Sequence, residues 1–379
     1  MVGILILGAR TAIGPHWGFD DSASRFRSQS YPCTNPSVGR RMQHWPGVRH
    51  NGRMKIPRLL ALIGLSLLAA GPASQELVPP DARYLTPEGK VRVVGYNDMD
   101  EMLVPLARMF EARHPGIRFE LILKGTRTAP APLMDGTSAF APMGAEFEPG
   151  DLANWRRVHR FDPVPVPIAH DSLTSGALSS PTGIFVHESK AVHGLSVAAL
   201  RRIMAPRPDE RRIRFWRALG VAGPEGDRPI RVIGLAPDTA IGALMLRRME
   251  ALRYVPGFDG RPQSREVAAA VAHDRDAIGI ANLNHARPGI RALRIMDRTG
   301  RETMGNAAGI RSGHYAFDRH LLIYVRRDSH GRIEQLARAF LGLALSPEGQ
   351  KTIAAGRRGY LSLNAREVRK ARKSIGLPH

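Results

Sequence analysis

Cysteine is almost missing from this 379-residue chain, with Cys33 the single example. One thiol excludes a disulfide framework and a thiolate metal site. No G-x-S-x-G elbow, H-E-x-x-H helix or P-loop occurs, so the familiar hydrolase, metalloprotease and nucleotide-binding signatures are missing. No 20–50-residue repeat is visible, which excludes a solenoid or propeller. The apolar run from Leu59 to Ala70 falls short of the roughly 20 residues a membrane-spanning helix needs. Acidic residues are few, 34 against 55 Lys and Arg, for a net charge of +21. That surplus attracts anions, whether a small oxyanion, anionic lipid or nucleic acid.

What is present begins at Met54. Lys55 and Arg58 precede the apolar run, and Gly71-Pro72-Ala73 follows it. This is the three-part pattern of a secretory signal peptide, expected over 54–74 with cleavage near Ala73. Residues 1–53, which include Cys33, read as a disordered leader ahead of the true start at Met54. The alternative is a short buried helix behind a disordered tail. An exported chain meets little nucleic acid, so nucleic acid is not expected as a partner. Removing the leader and the two signal-peptide cations leaves a net charge of about +14 on the mature part. The bland reading of that charge is a solvated, Arg-rich surface.

Along the mature part, period-2 stretches alternate with helical ones. KVRVVG at Lys90 to Gly95 and IRFELIL at Ile117 to Leu123 read as strands. Between them a helix runs to Arg113, capped by Asp98 or Asn97, with Met99, Leu103, Leu106 and Phe110 on one face. Strand, helix, strand at this spacing predicts a βαβ unit. Further strands are expected at GIFVH before Glu188, at IRVIG (Ile230 to Gly234), at Ala277 to Ala281 and at HLLIYVR (His320 to Arg326). Helices are expected from Ser196 to Met204, Ala240 to Arg253, Arg265 to His273 and Ile333 to Ala344. One more opens at Ser346-Pro347, with proline at its first position. Two αβ lobes joined by extended segments fit this order.

Four segments together carry a family resemblance. They are GYNDMDEMLVPLARMFEARHPGIRFEL from Gly95, KGTRTAPAPLMDGTSAFAPMGAEF from Lys124, the stretch from Leu195 to Arg247 with LSVAALRRIM and FWRALGV, and YAFDRHLLIYV through SPEGQ to GYLSL, from Tyr315 to Leu363. In order and spacing the chain resembles the PstS-like phosphate-binding proteins of bacterial ABC transporters, in the type 2 periplasmic-binding-protein superfamily. The resemblance implies an α/β, two-lobed periplasmic-binding-protein-like fold, with two crossover strands and a ligand held in the cleft. It places lobe 1 at 86–170 plus 327–365 and lobe 2 at 171–326; the remaining 366–379 is basic and reads as a surface helix or tail. It also implies a monomeric, non-enzymatic periplasmic protein, with no cofactor, that passes a small anionic solute such as phosphate to an ABC transporter permease.

Three loops fall where such proteins hold their anion. From them the ligand-binding candidates are Asn97, Asp98, Met99, Thr126, Arg127, Thr128, Gly144, Asp238 and Thr239. Helix N-termini and short polar loops suit an oxyanion because their free N–H groups and dipoles supply positive potential. Thr126 keeps the hydroxyl the resemblance asks for. Asp98 stands where the family has threonine, Gly144 stands where it has serine, and the third loop lacks the family's Arg and Gly-Thr. Arg127 is the candidate replacement for that arginine. Asp98 and Asp238 have a second reading as helix N-caps, since Asp is a strong capping residue. The histidines, among them His159, His170, His187, His193, His273, His285, His314 and His320, lack helical ligand spacing, so no metal ligand is assigned. Arg201-Arg202, Arg211-Arg212 and Arg247-Arg248 read as solvated helix faces. Two alternatives stay open: a diverged relative binding another small polar solute, or an envelope interaction protein with no small ligand.

Overall fold

The computed structural model describes residues 77–378. The expected leader and signal peptide lie outside the described residues. Among the described residues, no helix is long and apolar enough to cross a membrane.

The chain opens with the expected βαβ unit. β1 (Val91–Gly95) and β2 (Phe119–Leu123) pair in parallel, in register from Val91↔Phe119 to Gly95↔Leu123. Between them α1 (Asp100–Arg113) buries Met102, Leu103, Leu106 and Phe110. The helical periodicity of those residues is what selects the buried face. The helix is not capped as expected: its N-cap is Met99, with no side-chain cap bond. α2 (Pro130–Asp135) ends on Gly136 at φ 84°, and β3 (Ala141–Met143) follows. α3 (Pro149–Val158) starts with a Glu148/Asp151 capping box and leads to β4 (Val164–Ser172).

From there the chain builds a second body. β5 (Thr182–His187), β6 (Gly194–Ser196), α4 (Val197–Met204), α5 (Gly223–Gly226), β7 (Arg231–Leu235) and α6 (Ala240–Arg248) come first. β8 (Asp259–Arg261), α7 (Ser264–His273), β9 (Ala277–Asn282), β10 (Ile290–Ala292), β11 (Arg294–Met296), β12 (Glu302–Thr303) and α8 (Ala307–Arg311) complete it. Its main sheet has the order β10-β5-β9-β7-β8, beside a small sheet β12-β11-β6. α4 begins as the sequence predicts, with Ser196 Oγ accepting from the Ala199 amide at 3.0 Å. α6 stops at Arg248 rather than Arg253. Glu250 adopts φ 53°, a left-handed conformation that no helix can continue through.

The chain then returns. β13 (His320–Val325) lies between β4 and β3 in the sheet β14-β4-β13-β3, where β14 is Tyr360–Leu361. The second lobe therefore ends before β13, not at 326 as the sequence suggested. α9 (Gln335–Ala344) and α10 (Pro347–Ala354) cover the first core, and Ser346 caps α10 through the Gly349 amide at 3.0 Å. Phe110, Phe119, Phe140 and Phe340 cluster there, with Phe140 and Phe340 stacked at 4.6 Å. The basic C-terminal stretch forms α11 (Ala365–Ser374), whose Ala371 is buried in the same core.

Core membership locates the crossings. Tyr315 and Phe317 belong to the second core, whereas Leu321 belongs to the first. On the outgoing strand Ala169 lies in the first core and Leu173 packs on the second. Both crossings thus occur over a few residues, side by side, at His170-Asp171-Ser172 and Asp318-Arg319-His320. His170 is paired with His320, and the Asp171 amide donates to the Arg319 carbonyl at 3.0 Å.

Candidate functional site

Two adjoining cavities, of about 380 and 340 Å³, lie between the lobes and share Arg127, Gly144 and Arg319 among their walls. Arg319 is a deeply set cation on both. Its side chain is 12% exposed, its Nη2 donates to the Gly144 carbonyl at 2.8 Å, and its Nε lies 3.5 Å from Asp171 Oδ2. Asp171 also accepts from Ser179 Oγ at 2.7 Å. Burial pushes the Asp171 carboxyl up, and Arg319 and Ser179 only partly oppose that.

The first-lobe wall is built on the loop from Gly144 to Glu148 and on Thr126 and Arg127. Thr126 Oγ1 accepts from the Gly144 amide at 3.2 Å. A Cβ on Gly144 would sit 2.5 Å from the Tyr96 ring, so that ring occupies the space a serine would need. Beneath it Phe147 stacks on Tyr324 at 4.2 Å, and its amide donates to the Tyr324 hydroxyl at 3.0 Å. The loop from Gly144 to Glu148 is held from below by this pair. The second-lobe wall is the start of α6. Thr239 caps it by accepting from the Gly242 amide at 3.0 Å, so Ala240 and Ile241, which line both cavities, keep uncapped amides. The larger cavity has four arginines (Arg127, Arg247, Arg248 and Arg319) against three carboxylates (Glu146, Glu148 and Asp238).

Five of the nine sequence candidates fall on these walls and four do not. Thr126 lines the smaller cavity, Arg127 and Gly144 line both, and Asp238 and Thr239 line the larger. Arg127 is exposed, 3.4 Å from Glu148. Asp98 touches the site only indirectly, and neither expectation for it holds. It is fully buried, accepts from the Leu178 amide at 3.0 Å and sits 3.0 Å from Arg358 Nε. It is neither a cap nor a cavity residue; its charge is spent fastening the outgoing crossover to the first lobe. Met99 is core, Asn97 faces solvent, and Thr128 donates to the Gly125 carbonyl at 2.7 Å. Asp238 is also no cap, because Thr239 takes that position.

Wall residues without a site role in the sequence reading are Tyr96, Ser179 and Arg319, with Arg247, Arg248 and His320, which it gave other roles. Arg319 stood in the quoted Tyr315-to-Val325 stretch, which is the signal that would have found it. Arg248 is not on a solvated face: it donates to the Ala316 and Asp318 carbonyls at 3.1 and 3.0 Å, binding α6 to the returning crossover.

Behind this wall four side chains converge: His170, Asp318, His320 and Glu367, with one potential ligand atom from each within 4.8 Å of the others. His170 is fully buried and its Nδ1 lies 2.7 Å from Asp318 Oδ2. Its Nε2 is 3.1 Å from Glu367 Oε2 but not aligned as a hydrogen bond, which leaves that nitrogen without a hydrogen-bond partner. Burial alone would depress the His170 pKa; the two carboxylates outweigh it and push it up to about 9. Burial would raise Glu367, yet the two imidazoles and the Asn364 amide hold it well below the usual carboxylate range.

Comparison with known proteins places this geometry. No family model matches the chain. It is 24% identical to the phosphate-binding protein PstS of Pseudomonas aeruginosa PAO1 over 336 residues, covering 86% of this chain and 100% of the relative. The PstS of strain UCBPP-PA14 matches equally. Over most of its length, then, the chain is similar to PstS. Among solved structures, PstS from Borrelia burgdorferi superposes with a TM-score of 0.51 at 14% identity, over 73% of this chain and 99% of that one. The chain therefore shares its two-lobed α/β fold with that structure.

Proposed function

We propose that this chain is the solute-binding protein of an ABC transporter, taking phosphate or a similar small oxyanion into the cleft between its lobes. Arg319 carries the reading. It is a nearly buried guanidinium at the crossover, lining both cavities, with the uncapped amides of α6 on the second-lobe wall and the Gly144 carbonyl beside it. Arg can grip an oxyanion in bidentate fashion, and helix amides add donors that need no side-chain ordering. The named relatives are phosphate-binding proteins, and their full length is covered by this chain. The role is binding and delivery to a permease on the outer face of the inner membrane, without catalysis. Asp238, Glu146 and Glu148 favour a second reading, in which the solute also carries a proton or another donor group for them.

Thermal unfolding with phosphate titrated at fixed ionic strength, and sulfate as control, tests this. At a hundred times the dissociation constant, phosphate should stabilise the chain by about 2.7 kcal/mol. Arg319→Met should lose that stabilisation. Equal shifts in phosphate and sulfate, or none, would remove phosphate as the solute.

A further inference from the structure

The crossover cluster has a composition that phosphate binding does not require. Two imidazoles and two carboxylates meet in a space where three of the four come from separate elements: His170 from β4, His320 from β13 and Glu367 from α11. Residues so far apart in sequence, packed with their polar ends inward, need a counter-charge or a common partner. Asp318 Oδ1 has one in the Arg319 amide at 2.8 Å, and Asp318 Oδ2 has His170 Nδ1. His170 Nε2, fully buried, points toward Glu367 and has none.

We propose that His170 Nε2, His320 Nε2 and the Glu367 carboxylate bind one divalent transition-metal ion of the zinc class, with Asp318 orienting His170. Zinc bonds of 2.0–2.2 Å in a tetrahedron set ligand atoms about 3.4 Å apart. Here His170 Nε2 is 3.1 Å from Glu367 Oε2, and His320 Nε2 is 3.7 Å from Glu367 Oε1. Each of these two spacings, one to either carboxylate oxygen, is within a few tenths of an ångström of that value, and all the ligand atoms lie within 4.8 Å of one another. The contact of His170 Nδ1 with Asp318 matches the arrangement in which a ligating imidazole donates its other N–H to a carboxylate, fixing tautomer and ring plane. Two nitrogen ligands select against magnesium and calcium, which prefer oxygen. A dication also neutralises Glu367 and Asp318 with both imidazoles uncharged, so the buried cluster carries no net charge. Three protein ligands leave a fourth position for water or a solute oxygen, and His320 is itself part of the larger cavity's wall. The site stands independently of the phosphate reading.

The test is zinc binding to the chelator-treated chain in phosphate-free buffer, by calorimetry, with cobalt as a spectroscopic substitute. One zinc per chain and a tetrahedral cobalt spectrum are expected. Glu367→Gln keeps the α11 cap, and His320 is partly exposed, so Glu367→Gln and His320→Gln should both fold; each should weaken zinc at least 100-fold. Asp318→Asn should weaken it about 10-fold, and His193→Gln, on the surface, should change nothing. Circular dichroism confirms that each variant is folded. No stoichiometric zinc, an octahedral cobalt spectrum, or unchanged affinity in folded His320→Gln and Glu367→Gln would overturn the proposal.

Discussion

Two buried ionic clusters in this molecule can be set side by side, and they are built on opposite terms. In the second lobe Lys190, 2% exposed, donates to Glu225 Oε2 at 2.8 Å and Asp276 Oδ1 at 3.1 Å, and its ammonium lies 4.9 Å from the centre of the Trp216 ring. Arg228 pairs with the other oxygen of Asp276. Every charge there has a partner, so nothing remains to recruit. At the crossover, His170 is just as buried and keeps one nitrogen unpartnered. A matched cluster fixes a structure, while an unmatched one marks a place where the protein has held capacity in reserve. What distinguishes His170 is geometry: its Nε2 lies 3.1 Å from Glu367 Oε2 with no aligned hydrogen bond.

The comparison can be broken at its closed end. Lys190→Met leaves Asp276 and Glu225 without their shared cation and should cost about 3–5 kcal/mol, read from urea unfolding midpoints at constant m-value. A loss under 1 kcal/mol would mean that Arg228 alone satisfies Asp276 and that the cluster is not the staple described.

Acid sharpens the same contrast. Burial would raise the Asp276 pKa, but Lys190 and Arg228 together hold it below the ordinary value. Its contribution is therefore present above the unfolded-state pKa of about 3.9 and is lost as pH falls through the lower folded value. Stability of the parent chain should drop below about pH 4 with a slope that Asp276→Asn reduces by at most about 1.4 kcal/mol per pH unit. Identical acid limbs for the two proteins would show that Asp276 does not titrate differently on folding.

The smallest effect is expected where neither cluster is involved. Arg332 and Asp328 make an exposed pair at 2.9 Å. Arg332→Ala should shift stability by under about 0.5 kcal/mol, measured in the same urea series. A loss comparable to that of Lys190→Met would mean that burial is not what separates these pairs.

How much of this was legible in the sequence depended on distance along the chain. The βαβ unit and the caps at Ser196 and Ser346 were readable because their causes lie within a few residues of each other. α6 was read too long because Glu250 carries no glycine to announce its left-handed turn. Asp98 was misread for a different reason. Its partners, Leu178 and Arg358, lie far down the chain, and only the packed fold shows that its carboxylate is already engaged. His170, His320 and Glu367 were invisible as a group for the same cause, since ligand spacing was sought within one helix. The loop residues Thr126, Arg127, Gly144, Asp238 and Thr239 came from resemblance, and the cavities collect those five. Arg319 sat inside a quoted motif and was passed over, because a motif gives position without saying which residue faces inward.

The paired crossings have a mechanical meaning. Two antiparallel strands clasped by the Asp171–Arg319 hydrogen bond form a strap, not a string. A strap flexes easily about its flat face and resists shear along its length, since sliding would break the clasp and the His170–His320 register together. The spine joining the lobes is therefore like the sewn spine of a book, which opposes slip of one cover along the other more than it opposes opening.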